Sequence, residues 1–231
     1  MATYNIHRCI GTDGRSDPER IIRVLKELDA DVIALQEVET VYDGGFDLLN
    51  DFNKETGMYA VPGPTMYSAV SAYGNALLSR YEIHDLLRVD ISVKDREPRG
   101  ALSVTIDVGE KKIHVIATHF GLSANERAIQ AERLIQVIKE QKADMSVLMG
   151  DLNEWFYFSR SLRSMRKHFP RTGCIRTFPS GFPVLALDKI LVDARFMMRN
   201  QMSVKSEFTK IASDHLPLKA EIFFHSAGEV T

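Results

Sequence analysis

Carboxylate, amide and imidazole side chains recur at one kind of place in this sequence, the boundaries of short apolar runs. Asn5 and His7 close the first run, Glu37 the second, and His119 a third. Five more residues follow the same rule: Asp151, Asn153, Asp188, Asp214 and His215. A carboxylate is costly to bury unless it is paired, hydrogen-bonded or bound to a metal ion. These groups therefore predict a polar pocket at one rim of a sheet, able to hold a cation and to move a proton.

The elements that must position these groups begin with a β-α-β unit. Residues 3–7 and 32–35 are predicted strands, and a helix lies between them. Ser16 and Glu19 have the spacing of a capping box at its start, and apolar residues then recur on one helical face. This order predicts a sheet with helices on its outer face.

The rest of the chain continues the alternation of strands and helices. Further strands are predicted at 75–79, 83–91, 101–107, 112–119, 145–149, 187–192 and 217–224. Helices are predicted at 46–56 and 125–142, with a basic helix in the last third. Because the sequence contains no repeat, low-complexity run or linker, we expect one domain over residues 1–231.

Composition excludes several classes of protein. With 231 residues, of which 45% are hydrophobic and 26% charged, the chain is neither collagen-like nor intrinsically disordered. Its net charge of -2 argues against a surface that is basic throughout. No apolar run approaches the roughly 20 residues of a membrane span, no signal peptide is visible, and Cys9 and Cys174 do not form a disulfide framework. We expect a cytoplasmic monomer.

Six short motifs resemble those of the endonuclease/exonuclease/phosphatase superfamily and occur in its order. They are Thr-Tyr-Asn-Ile-His at 3–7, Leu-Gln-Glu at 35–37, Thr-His at 118–119, Gly-Asp-Leu-Asn at 150–153, Leu-Asp-Lys-Ile at 187–190 and Ser-Asp-His at 213–215. The resemblance implies a four-layer α/β sandwich, in which two packed, mixed and mostly antiparallel β-sheets are flanked by helices. It also implies a hydrolase that cleaves phosphoesters with Mg²⁺ or Mn²⁺.

The resemblance implies a metal site built around Glu37. Carboxylate oxygens suit Mg²⁺, and the ion can bridge a phosphate oxygen. Asn5 would help to hold the metal, and Asp214 would be a second carboxylate near it. The place two residues after Asn5, acidic in some nucleases of the superfamily, is His7 here, which favours one metal ion over two.

The resemblance also implies catalytic roles for five residues. Asp151 would orient or deprotonate the attacking water, and Asn153 would donate a hydrogen bond to the phosphoryl group. His215 would bind the scissile phosphate, and Asp188 would pair with His215 and fix the orientation of its ring. His119 would be a second imidazole on the phosphate and a candidate acid for the leaving group.

Less specific interpretations of the same residues stay open. Asp151 and Asn153 also fit an Asx-rich turn after a strand, Asp188 a turn cap, and His119 a hydrogen-bonded core histidine. On the predicted strand at 75–79, Asn75 is a further candidate contact to substrate phosphate or else a turn residue.

A basic segment at residues 160–176 bears on the substrate. It contains six arginine or lysine residues and no acidic residue, directly after four aromatic residues at 155–158. Arg160, Arg163 and Lys167 have the spacing of one helical face, so Arg163 and Lys167 are candidate contacts to a polyanion or an anionic lipid surface. A solvated helix face above packed aromatics explains the pattern equally well.

The favoured substrate is a phosphodiester, attacked in line by an activated water. Nucleic acid is the leading substrate class. The alternatives are a phospholipid or sphingomyelin-type phosphodiesterase, a small-molecule phosphatase and, from another class, a catalytically silent binding protein of the same fold.

Overall fold

The first β-sheet is formed by both ends of the chain. A computed structural model describes residues 1–41, 47–141 and 143–224. The strands of this sheet are β1 (Ala2–Asn5), β2 (Val32–Val41), β3 (Tyr59–Tyr67), β4 (Ser71–Ser79), β11 (Phe196–Ser203) and β12 (Leu218–Phe224). Their order is β11-β12-β1-β2-β4-β3, with β1 and β2 parallel and every other pair antiparallel. The central place of β1 brings Asn5 to the middle of the sheet.

The second β-sheet comes from the middle of the chain. Its strands are β5 (Ile83–Asp90), β6 (Gly100–Val108), β7 (Lys111–His119), β8 (Met145–Asp151), β9 (Arg171–Thr172) and β10 (Asp188–Val192). Their order is β5-β6-β7-β8-β10-β9, and only the β7–β8 pair is parallel among these strands. His119 and Asp151 lie side by side in that pair, each at the carboxyl end of its strand.

Helices cover the outer faces of both sheets. They are α1 (Pro18–Leu28), α2 (Leu48–Thr56), α3 (Ala124–Glu140), α4 (Arg160–Met165) and α5 (Thr209–Ala212). The longer helices α1 and α3 each connect a parallel pair of strands, as a crossover connection requires. Among the described residues, no helix combines the length and apolar composition needed to cross a bilayer.

Three apolar clusters define four layers. One cluster joins α1 and α2 to the first sheet, a second fills the space between the sheets, and a third joins α3 and α4 to the second sheet. The alternation within β2 shows the principle: Val32 and Ala34 face the second sheet, whereas Ile33 and Leu35 face the helices. The predicted four-layer α/β sandwich with two mixed sheets flanked by helices is confirmed.

Some sequence predictions of individual elements were wrong. Helix α1 is capped by Asp17, whose side chain accepts a hydrogen bond from the backbone of Arg20 (3.0 Å), and not by Ser16. The basic helix is shorter than predicted: α4 ends at Met165, so Lys167 lies beyond it. The predicted helix boundaries at residues 46 and 142 lie outside the described residues.

Candidate active site

The carboxyl ends of the parallel strands meet at one rim of the sandwich, as the sequence indicated. Asn5 ends β1, His119 ends β7 and Asp151 ends β8, while Asp188 begins β10 directly opposite Asp151. A cleft of about 810 Å³ opens at this rim between the two sheets. Residues from both sheets line it, so the site exists only where the sheets pack together.

Local backbone geometry directs Glu37 into the cleft. The pairing of β2 with β4 shifts register between Leu35 and Val38, which marks a β-bulge. Glu37 lies in that bulge with a φ of 57°, a left-handed conformation that non-glycine residues rarely adopt. The half-buried carboxylate lines the cleft, and its Oε1 accepts a hydrogen bond from Nδ2 of Asn5 (2.9 Å).

Asn5 connects the two sheets. Its Nδ2 also donates to Oδ2 of Asp151 in the second sheet (3.2 Å), and its Oδ1 accepts from the backbone of His7 (3.0 Å). The buried amide therefore fixes Glu37 and Asp151 relative to each other.

Asp151 is held from its own strand. Its Oδ1 accepts from the backbone N–H of Asn153 (2.9 Å). The preceding residue must be glycine, because a Cβ on Gly150 would lie 1.9 Å from the carbonyl oxygen of Thr118. Close packing of β7 and β8 thus places Asp151 beside His119, with Oδ2 of Asp151 lying 3.5 Å from Nε2 of the ring.

His119 is buried as a neutral ring. Its removal from water lowers its pKa to about 3, an effect that outweighs the attraction of Asp151. Arg99 Nη1 lies 3.0 Å from Nδ1 of His119, and because an arginine can only donate, Nδ1 accepts and the ring proton lies on Nε2. Nδ2 of Asn153 lies 3.1 Å from that Nε2 and donates to the carbonyl of Phe120 (2.9 Å). Both nitrogens are therefore donors, and they lie side by side in the lining of the cleft.

His215 has the opposite electrostatic environment. Burial alone would lower its pKa, but the carboxylates of Asp188 and Asp151 together raise it to about 10. Its Nδ1 donates to Oδ2 of Asp188 (2.9 Å), and its Nε2 lies 3.6 Å from Oδ2 of Asp151. Thr177 donates to the same Asp188 oxygen (2.5 Å), and Phe178 packs against the imidazole with ring centroids 4.9 Å apart. The ring is therefore charged and held in one orientation.

Two sets of side chains could hold a metal ion. Asp151, Asp188 and His215 each offer a ligand atom within 4.8 Å of the others. In that cluster, however, the charged His215 already offsets one of the two carboxylate charges. Glu37 has its Oε1 hydrogen bond to Asn5 and otherwise faces the cleft, so its remaining carboxylate lone pairs suit a hard cation.

Four predicted site residues lie elsewhere. Asp214 is half-exposed, does not line the cleft, and lies 3.9 Å from Nδ1 of His7. Asn75 is buried in β4, where its Nδ2 donates to the carbonyl of Gly100 (2.9 Å). The other two, Arg163 and Lys167, are exposed on and after α4 and do not line the cleft.

Sequence reasoning missed several groups of the site. Arg99 lies 3.3 Å from Glu97, and its contact with His119 joins residues 20 positions apart in the sequence. Thr177 and Trp155 were likewise given no role at the site. Among these residues, only Arg99 could have been suspected from the sequence, because it stands next to Gly100 at the start of a predicted strand.

Comparisons with known proteins agree with this fold. A family profile described as "Endonuclease/Exonuclease/phosphatase family" matches residues 2–215. The chain is 30% identical over 243 residues to the uncharacterized protein YbhP of Escherichia coli K12, covering 96% of this chain and 95% of that protein.

Two solved structures show the same fold. A functionally unknown conserved protein from Enterococcus faecalis V583 has a TM-score of 0.80 at 19% identity, covering 97% of this chain and 99% of that one. An endonuclease/exonuclease/phosphatase from Beutenbergia cavernae has a TM-score of 0.76 at 22% identity, covering 98% and 71%. At these identities the likeness shows the fold alone.

Proposed function

The chain belongs to the endonuclease/exonuclease/phosphatase family, and we propose that it is a single-domain, divalent-metal-dependent phosphodiesterase. The family includes metal-dependent phosphoesterases such as nucleases and phosphatases. The observation that carries the proposal is the convergence, in one cleft between the sheets, of a half-buried glutamate, a buried aspartate and two oriented imidazoles. Those groups are Glu37, Asp151, His119 and His215.

The metal would be held by Glu37, with Asn5 fixing the position of its carboxylate. Oxygen ligands suit Mg²⁺, with Mn²⁺ as the alternative. Bound there, the ion would polarise a phosphoryl oxygen and neutralise negative charge. Asp214 does not line the cleft, so we assign it to the support of His7 at the cleft wall.

Asp151 would orient the attacking water and accept its proton. Its Oδ1 is occupied by the backbone of Asn153, whereas its Oδ2 faces Asn5, His119 and His215. The oxygen of the water forms the new bond to phosphorus as the ester bond on the opposite side breaks. The proton passes through Asp151 and solvent to the departing oxygen, so one water is consumed in each turnover.

Three donors would stabilise the phosphoryl group. Nε2 of His119 and Nδ2 of Asn153 lie side by side in the lining of the cleft, and Nε2 of His215 lies 3.6 Å from Oδ2 of Asp151 on the same rim. Fixed donors aimed at developing charge supply a large part of the catalysis in reactions of this kind. Because Arg99 sets the tautomer of His119, we assign that ring a hydrogen bond to a phosphoryl oxygen in place of leaving-group acid.

The position of the basic segment bears on substrate class. The basic segment at 160–176 partly supported nucleic acid as the leading substrate class, but its Arg163 and Lys167 do not line the cleft. The cleft carries Glu37 and Glu97 beside Arg8 and Arg99, a mixed lining that gives no continuous path for a polyanion.

The test is hydrolysis of a substrate panel with Mg²⁺, with Mn²⁺ and in EDTA. The panel contains bis-p-nitrophenyl phosphate, single-stranded and abasic-site DNA, RNA, an inositol phosphate and phospholipid vesicles. We expect Glu37→Gln and Asp151→Asn to lose at least 99% of the metal-dependent rate. Glu110→Gln, an exposed change in the turn between β6 and β7, is the matched control. Wild-type rates in EDTA, or in either site variant, would refute the proposal.

A further inference from the structure

Large apolar side chains are exposed around the mouth of the cleft. We call Leu122, Trp155, Phe156, Phe158 and Phe182 the apolar rim. Each of these side chains is between 60% and 82% exposed, although residues of this type are usually buried. Leu122 and Trp155 line the cleft itself, so the rim begins at the site and extends outward.

Phe182 lies at the tip of a loop that rises from the cleft wall. The loop starts and ends at Phe178 and Leu185, which both line the cleft and pair as an antiparallel bridge. Between them the sequence Pro-Ser-Gly-Phe-Pro-Val, residues 179–184, contains no charged residue, and Val184 is also exposed. The opposite member of the rim, Phe158, belongs to the uncharged segment that follows Asn153 and Glu154.

The charge of the surrounding sequence has one sign. Residues 155–187 contain six arginine or lysine residues and no aspartate or glutamate. Arg160 pairs with Glu132 and Arg166 stacks on Tyr157, 3.5 Å from the ring centroid. Arg163 and Lys167 are exposed and make no ion pair with any residue the structure describes.

We propose that the apolar rim docks the mouth of the cleft on a bilayer that contains anionic lipid, so that the ester presented to Asp151 belongs to a phospholipid headgroup. Exposed Trp and Phe beside unpaired cations match the two components of such a surface, an acyl boundary and anionic headgroups. The substrate half of this proposal rests on the proposed function, whereas the docking half does not.

A single-stranded nucleic acid fits the rim less well. Bases stack on aromatic rings, but Leu122 and Val184 are aliphatic and offer no stacking face. The loop at 179–184 also carries no cation to accompany a phosphate backbone. An apolar loop tip of this composition is stabilised more by contact with lipid hydrocarbon than by contact with nucleic-acid bases.

The chain provides its own probe of docking, because Trp155 is its single tryptophan and lies in the rim. Wild-type protein is titrated with vesicles of phosphatidylcholine and phosphatidylglycerol (7:3), and with phosphatidylcholine alone. We expect a blue shift of the Trp155 emission and co-sedimentation with the anionic vesicles, and binding at least about tenfold weaker to the neutral ones.

Two variants test the rim. Phe158→Ser/Phe182→Ser removes its outer members, and Leu87→Ser removes another exposed apolar side chain, on β5, as the control. We expect the double variant to bind anionic vesicles at least about tenfold more weakly, since a buried aromatic contributes strongly to partition. Hydrolysis of soluble bis-p-nitrophenyl phosphate should be unchanged in both variants, which also verifies their fold.

The outcomes separate the two proposals. Unshifted Trp155 emission with vesicles, or equal binding by the double variant, overturns docking even if the soluble diester is hydrolysed. Loss of Trp155 fluorescence with single-stranded DNA, without vesicle binding, overturns it in favour of nucleic acid. Vesicle binding without hydrolysis of any soluble diester or lipid supports docking and refutes the proposed function alone.

Discussion

Removing Arg127 should both destabilise the fold and loosen the site, because this side chain is the partner of a buried carboxylate. Nε and Nη2 of Arg127 donate to the two carboxylate oxygens of Glu154 at 3.1 and 3.2 Å. Both residues are about 95% buried or more, and Ser161 is the other side chain that donates to Glu154 among the described residues. Nη1 of Arg127 also donates to the carbonyl of Leu122 (2.5 Å). One guanidinium therefore ties α3 to both flanks of the cleft.

The size of the effect follows from what Arg127→Met leaves behind. Methionine keeps the apolar stem but leaves the carboxylate of Glu154 in the interior without its charge partner. Breaking a buried pair in this way costs about 3–5 kcal/mol, a large fraction of the roughly 5–15 kcal/mol that stabilises a typical domain. For a chain of this length we expect the midpoint of thermal unfolding to fall by roughly 10 °C.

The assay is urea unfolding at pH 7, with three variants compared to wild type. Arg133→Met, an exposed arginine on the same helix, is the control and should change the free energy of unfolding by less than about 1 kcal/mol. Arg127→Met/Glu154→Leu removes both charges and should recover at least half of the loss. If Arg127→Met costs less than about 1 kcal/mol, or if the double variant is no more stable than the single one, the carboxylate of Glu154 is not the source of the effect.

Three further predictions address the metal, the imidazole pair and a buried histidine. Mg²⁺ should raise the unfolding temperature of wild type but not of Glu37→Gln, because ligands stabilise the state that binds them; an equal shift in both proteins contradicts the metal role. Asp188→Asn should lower kcat by about 10³–10⁴ without unfolding the protein, since His215 loses the partner that orients it; a loss below tenfold argues against that pairing. Burial lowers the pKa of His114 from 6.5 to about 4, so the unfolded chain binds an extra proton between those values. The contribution of His114 to stability should be complete above pH 6.5 and fall by about 3 kcal/mol as the pH drops to 4, and His114→Gln should remove this part of the pH dependence in acid denaturation curves.

The strand ends were predictable because they obey a general rule. Parallel strands place their carboxyl ends at one edge, so Asn5, His119 and Asp151 could be grouped from sequence alone. No such rule applied to Asn75 and Lys167. Asn75 was chosen because its strand resembles a family strand, and Lys167 was chosen from helical spacing, although helix α4 ends before it.

Sequence reasoning missed three of the four edge strands, β3, β9 and β11. Strand β3 contains Pro62, Gly63 and Pro64, residues that weaken a strand signal and are tolerated where one side of the strand has no partner. Strand β11, at the opposite edge, is interrupted by a register shift around Asn200, which has a φ of 50°. The contacts of Arg99 and Thr177 could not be predicted from the sequence either, because they depend on packing between segments that are far apart in the chain.

The way both ends of the chain share the first sheet has a consequence for synthesis. Strand β1 leaves the ribosome well before its antiparallel neighbour β12 and the catalytic candidate His215. A nascent chain that already contains Glu37 and Asp151 has neither a completed first sheet nor the imidazole of His215. On the proposed function, a product that stops before His215 would be inactive, and its open sheet edge would make it suited to removal by proteases.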